Sequence, residues 1–157
     1  MTIRTLDFYT DGAYSSKTEM GGWACVCIEE DSIIDSQSGY EPYTTNNRME
    51  LTGFLYALET ANSIESKNVT VNIYVDSAYI ANCFKDKWYL RWMQNGWRTA
   101  DRQEVKNQDL WRRIVSLYIK LSSNISLNII KIKGHHTNQW NSYADLLAVK
   151  ARKELEK

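Results

Sequence analysis

Four acids in this chain, Asp11, Glu50, Asp76 and Asp145, have the setting that hydrolytic chemistry needs. Asp11 and Asp76 each follow a run rich in β formers, IRTLDFYT and VTVNIYV. Glu50 opens a helical stretch and borders its apolar stripe, because Phe54 and Ala57 are its i+4 and i+7 neighbours. Asp145, between Ala144 and Leu146-Leu147-Ala148, borders an apolar face too. Gathered at one edge, four carboxylates repel one another unless cations neutralise them. Oxygen donors without a Cys/His cluster suit Mg²⁺ or Mn²⁺ rather than zinc. Two such ions roughly 3.5–4 Å apart can clamp an in-line phosphoryl displacement, one activating water and the other stabilising the leaving oxygen. Each acid also has a plainer use. Asp11-Gly12 is a turn signal, and Asn47 to Glu50 reads as a capping box. Asp76-Ser77 can cap a helix, and Asp145 can be one more acid in a helix's early turns.

The elements that must position these acids follow from periodicity. Residues 3–10 read as a strand ending at Asp11-Gly12, 22–29 as a second and 33–40 as a third. Their short connections favour an antiparallel meander. Residues 47–62 have helical period, with Leu51, Phe54, Leu55, Leu58 and Ala61 as the apolar stripe. A fourth strand over 69–75 precedes helices at 77–84 and 88–96, a polar loop at 99–107 and a helix from an Asn107 cap to about Leu121. A fifth strand over 125–132 and a helix over 140–155 complete the chain. Strands four and five follow helical crossovers and therefore lie parallel to the first. The class is α/β, a mixed five-stranded sheet with helices on both faces. Asp11 and Asp76 then emerge at the C-terminal ends of neighbouring parallel strands, the edge where open α/β sheets bind ligands.

A length of 157 residues suits one domain, 1–157. No run approaches the roughly 18 apolar residues of a membrane span. MTIRTLDFYTDG lacks the apolar stretch of a secretory signal. The odd set Cys25, Cys27 and Cys83 points to free, packed thiols in a reducing, cytoplasmic setting. The formal net charge is zero, with 19 basic and 19 acidic side chains, but the charge is unevenly placed. Residues 1–84 carry a balance of −8, residues 85–120 one of +5 and residues 121–157 one of +3. An acidic site beside a basic surface fits a nucleic-acid partner. Within 85–98, KDKWYLRWMQNGWR interleaves Lys85, Lys87, Arg91 and Arg98 with Trp88, Trp92 and Trp97. Cations there neutralise phosphates while aromatic rings pack on sugar or base; equally, the tryptophans can anchor a short helix.

An ordered series of motifs is more specific than any single acid. Asp11-Gly12-Ala13 is followed by Gly21-Gly22-Trp23-Ala24 and by the block Thr44-Thr45-Asn46-Asn47-Arg48-Met49-Glu50-Leu51. Asp76-Ser77-Ala78-Tyr79, Gly96-Trp97-Arg98-Thr99-Ala100-Asp101 and Val105-Lys106-Asn107-Gln108-Asp109-Leu110-Trp111 come next. Lys133-Gly134-His135 and Asn141-Ser142-Tyr143-Ala144-Asp145 close it. The chain resembles the bacterial-type ribonuclease HI family along nearly its whole length. The resemblance implies the ribonuclease H-like fold and hydrolysis of the RNA strand of RNA–DNA hybrids, leaving 5′-phosphate and 3′-hydroxyl ends. It implies Asp11, Glu50, Asp76 and Asp145 as ligands of two divalent ions, and His135 as an aid to proton transfer or product release. His136 has no matching role.

The resemblance also implies Asn46 and Asn47 as minor-groove contacts and Thr45 and Asn107 as a pocket for a phosphate of the DNA strand. Trp88 and Trp92 belong to its substrate-binding handle. Several positions depart from the family pattern. Met93-Gln94-Asn95 replaces a basic cluster, which implies weaker, strongly salt-dependent hybrid binding. Tyr43 stands in place of an arginine, Ala78 in place of a glutamine and Lys17 in place of an asparagine. Rival readings are a related metal-dependent nuclease with another substrate and a nucleic-acid-binding module without catalysis. A free-standing monomer is expected.

Overall fold

The computed structural model of the protein describes residues 3–64, 67–132 and 138–156. Among them run β1 (Arg4–Ser15), β2 (Met20–Glu29), β3 (Ser32–Glu41), α1 (Asn46–Asn62), β4 (Val69–Val75), α2 (Ala78–Lys85), α3 (Trp88–Asn95), α4 (Gln108–Ser122), β5 (Ser126–Lys131) and α5 (Gln139–Leu155). The sheet order is β3-β2-β1-β4-β5. The first three strands pair antiparallel, while β4 pairs parallel with both β1 and β5. Parallel neighbours need long crossovers, and α1 and the α2–α4 segment supply them.

Alternation along the strands sorts the core into two layers. Leu6 and Phe8 of β1, Cys25 and Cys27 of β2 and Val71 and Ile73 of β4 pack with Phe54 and Leu58 of α1 and Trp111 and Ile114 of α4. On the opposite face Tyr9, Ala13, Ala24 and Val26 meet Ala144 and Ala148 of α5. Helices therefore cover both faces, as the pattern predicts. Small residues let α5 lie close to the sheet; a Cβ on Gly22 would stand 2.6 Å from the Arg152 amide nitrogen. Cys25, Cys27 and Cys83 are buried free thiols, and burial pushes all three up, so they stay protonated and serve packing.

Three local features differ from the sequence expectation. First, β1 does not end at Asp11-Gly12. Its parallel pairing with β4 reaches Tyr9 opposite Tyr74, but its pairing with β2 continues to Ser15 opposite Met20. Asp-Gly is thus strand, not turn. Second, the cap of α1 is Thr45, whose hydroxyl accepts from the Arg48 amide at 3.1 Å. The capping box from Asn47 to Glu50 does not form, and Glu50 sits two residues deeper in the helix than that box requires. Third, Asn107 occupies the N-cap position of α4 in a left-handed conformation, φ 57° and ψ 37°, and its side chain caps nothing.

Candidate active site

Asp11 lies two residues past the last parallel pair of β1 and β4. It alternates with Tyr9 and Ala13 on the face that α5 covers. Glu50 arrives from α1 on the other side of the sheet. A Cβ on Gly12 would stand 2.7 Å from the Glu50 amide nitrogen and 2.9 Å from the Met49 carbonyl carbon. Only glycine lets helix and strand approach so closely. The Gly12 amide donates to Asp11 Oδ1 at 2.9 Å and to Glu50 Oε1 at 3.2 Å.

Asp76 follows β4 directly. Ser77 caps α2 by accepting from the Ile80 amide at 3.2 Å, so the capping reading belongs to Ser77 and Asp76 stays exposed. Asp145, half-buried on α5, lies near enough to Asp11 to help raise its carboxyl. The structure places Glu50 and Asp145 beside Asp11, with Asp76 near enough for its charge to act on Glu50. His135 and His136 lie outside the described residues.

The electrostatics follow from crowding. Burial pushes the Asp11 carboxyl up to about 7, and the nearby Asp145 adds to this; the Gly12 amide and a proton shared from Glu50 oppose it. Glu50, only 6% exposed, is held well above the usual carboxylate range. Burial is the main cause, then the charge of Asp11, with a smaller push from Asp76. Glu50 Oε2 is buried and finds no hydrogen-bond partner among the described residues. Buried oxygens that repel each other, one of them without a donor, fit a hard cation. Among the described residues no three acids, histidines or cysteines stand together as a ready-made metal-binding group.

The substrate-contact candidates fall into two groups. Thr45, Asn46 and Asn47 are exposed on the first turn of α1, beside the acids' edge. Asn107 Oδ1 accepts from Arg48 Nη1 at 3.3 Å and helps line a groove of about 470 Å³ with Lys106, Gln108 and Asp109. Arg48 is the residue the sequence reading missed. Its guanidinium also bonds Glu41 at 3.0 Å and Asp109 at 3.1 and 2.8 Å. Its place inside the Thr44–Leu51 block was the available signal.

Trp88 is half-buried and, with Tyr79, Lys87, Arg91 and Arg98, lines a cavity of about 270 Å³. Trp92 is different. It is 6% exposed, packs edge-on against Trp111 at 5.2 Å and contacts Trp97. Direct stacking on a substrate is closed to it, because α3 turns this ring into the core; it supports the cavity from below.

The sheet order and its helices on both faces define an α/β fold of the ribonuclease H-like class. The chain belongs to the ribonuclease H family: the family model described as RNase H matches residues 4–153. The chain is 39% identical over 146 residues to the ribonuclease H of Thermoanaerobacter sp. (strain X514), covering 93% of this chain and 88% of that one. It is 40% identical over 151 residues to the ribonuclease H of Chlorobaculum parvum, covering 96% and 97%. Among solved structures, the PFV RNase H domain superposes with a TM-score of 0.79 at 22% identity, covering 98% of both chains. LC11-RNase H1 in complex with RNA/DNA hybrid superposes with a TM-score of 0.70 at 22% identity, covering 97% of this chain and 99% of that one. At that identity the structural likeness is one of fold.

Proposed function

We propose that the protein is an endonuclease that hydrolyses the RNA strand of RNA–DNA hybrids, with Asp11, Glu50, Asp76 and Asp145 holding two divalent ions, Mg²⁺ or Mn²⁺. The observation that carries the reading is the meeting of Asp11, Glu50 and Asp145 from β1, α1 and α5, with Asp76 close enough to bear on Glu50. When bound, the ions supply charge neutralisation, an activated water and stabilisation of the leaving oxygen.

The chain's own groups do the rest. The Gly12 amide fixes one oxygen of Asp11 and one of Glu50, so both side chains are ordered before substrate arrives. The partnerless Glu50 Oε2 is left for a cation. Exposed Asn46 and Asn47 offer amides to base edges and ribose hydroxyls, and the 2′-hydroxyl marks the strand to be cut. Thr45 and Asn107 take a phosphate of the DNA strand, with Arg48 beside them. Trp88, Arg91 and Arg98 grip the backbone further along, and Trp92 braces them. His135 aids proton transfer or product release, so His135→Ala lowers turnover without abolishing it. Cleavage leaves 5′-phosphate and 3′-hydroxyl ends. The hybrid complex of LC11-RNase H1, a protein of the same fold, supports the substrate class. We also read residues 1–157 as a single catalytic domain that works as a cytoplasmic monomer. No described helix is long and apolar enough to cross a membrane.

The test is a substrate panel: labelled RNA–DNA hybrid, duplex DNA, duplex RNA and single strands, with and without EDTA. Cleavage should be confined to the hybrid, stop with the chelator and return with excess Mg²⁺. Preferred cleavage of duplex RNA would make this a nuclease of another substrate. Binding without cleavage in either metal would make it a binding module.

A further inference from the structure

Below the acids, β1 and β4 carry the same local pattern, Tyr9-Thr10-Asp11 and Tyr74-Val75-Asp76. The two tyrosines are register partners across the parallel pair. Their rings stack with centroids 4.6 Å apart and planes 6° from parallel. Side chains two apart in a strand share a face, so Tyr9 points to the same side as Asp11, the side α5 covers. Tyr9 is 6% exposed, and its Oη accepts a hydrogen bond from Asn138 Nδ2 at 3.3 Å.

Asn138 is also the N-cap of α5. Its Oδ1 accepts from the Trp140 amide at 2.7 Å and the Asn141 amide at 3.3 Å. One carboxamide therefore uses both ends, the oxygen to start the helix and the nitrogen to fasten that start to β1. About two turns further along, α5 presents Asp145. The helix is thus tied to one face of β1 at two levels, Asn138 on Tyr9 and Asp145 beside Asp11. Stacking on Tyr74 restricts the Tyr9 ring, which fixes where its hydroxyl stands.

We propose that Tyr9 is a positioning residue of the four-acid site: its hydroxyl, bonded to Asn138, sets where α5 lands on β1 and so sets the spacing of Asp145 from Asp11. This rests on the reading of the acids as cation ligands. A buried tyrosine hydroxyl also needs a partner for its own sake, so the test must read more than stability.

Tyr9→Phe keeps the ring and the stack and removes the hydroxyl. Mn²⁺ binding to the protein alone, followed by electron paramagnetic resonance, should weaken about tenfold, the low end for groups that hold metal ligands in place. With hybrid and Mg²⁺, kcat should fall while KM stays unchanged. Asn138→Ser keeps a cap oxygen but cannot reach Tyr9, and should show the same loss. Asn138→Asp keeps the cap and accepts from the Tyr9 hydroxyl instead, and should behave as wild type. Wild-type Mn²⁺ affinity and kcat in Tyr9→Phe or Asn138→Ser, whatever their melting temperatures, would overturn the proposal. Asp11→Asn runs alongside. If it keeps full Mn²⁺ affinity, the ligand reading fails and takes the proposal with it; if it loses affinity while Tyr9→Phe does not, only the positioning role falls.

Discussion

The Gly12 amide holds Glu50 Oε1 at 3.2 Å while holding Asp11 Oδ1 at 2.9 Å, so one backbone donor joins α1 to β1 at the site. The contact exists because nothing projects from Gly12 into the helix. Gly12→Ala places a methyl against backbone atoms of Met49 and Glu50, which cannot turn aside as a side chain can. We expect a stability loss of about 1–3 kcal/mol in urea unfolding. Cleavage should fall far more than the unfolded fraction explains. Normal turnover in Gly12→Ala would show that the Glu50 contact is not needed.

The raised Asp11 carboxyl makes the metal-free protein sensitive to pH. In the unfolded chain Asp11 has the ordinary aspartate value of about 3.9, and in the folded protein burial pushes it up to about 7. The folded state therefore keeps a proton the unfolded state has lost. Stability from this group is full below about pH 4 and drains away as pH rises through 7, by a few kcal/mol at most. In EDTA, melting temperature should fall between pH 5 and 8 in wild type, and Asp11→Asn should flatten that fall. Excess Mg²⁺ should restore the wild type at pH 8. Parallel pH profiles for the two proteins in EDTA would contradict the crowding.

Trp88 and Trp92 separate packing from contact. Trp92→Ala empties a core position and should cost about 3–5 kcal/mol of stability. Trp88→Ala removes a ring from the wall of the basic cavity. It should cost less stability than Trp92→Ala, because Trp88 is only half-buried, and should raise KM for the hybrid, most visibly at high salt. If Trp88→Ala leaves KM unchanged across salt, this cavity does not touch substrate.

Arg48 ties Asn107, Asp109 and Glu41 to the start of α1 through four hydrogen bonds. Its partners are largely solvated, so Arg48→Ala should cost about 1 kcal/mol or less in stability. Freed from it, Asn107 loses its orientation, and KM should rise several-fold with kcat little changed. A fall in kcat at constant KM would move Arg48 from substrate placement to the chemistry.

The sheet was legible because its strands alternate cleanly and its crossovers are helical. The positions of the four acids were legible because Asp11 and Asp76 lie just past the parallel pairing of β1 and β4 and the other two border apolar helix faces. Details failed where several local signals compete for one residue. Asp11-Gly12 looks like a turn, but β2 offers partners as far as Ser15 and the ladder wins. Thr45, Asn46 and Asn47 are all able caps, and only the backbone path selects Thr45. Interleaved tryptophans and cations do not reveal which rings turn inward; Trp92 does because Trp97 and Trp111 surround it. Asn107 looked like a cap by position, yet its left-handed backbone sends the side chain to Arg48. Tyr9 went unnoticed although Tyr-x-Asp repeats at both strand ends, since its partner Asn138 is far along the chain.

The most direct test of the central claim uses a hybrid labelled on its RNA strand, with wild type and Asp11→Asn compared in Mg²⁺. Wild type should release RNA fragments with 5′-phosphate and 3′-hydroxyl ends and leave the DNA strand whole. Asp11→Asn should bind the hybrid and release nothing. An intact hybrid with wild type in both Mg²⁺ and Mn²⁺, or undiminished cutting by Asp11→Asn, would contradict the assignment of these carboxylates to the chemistry.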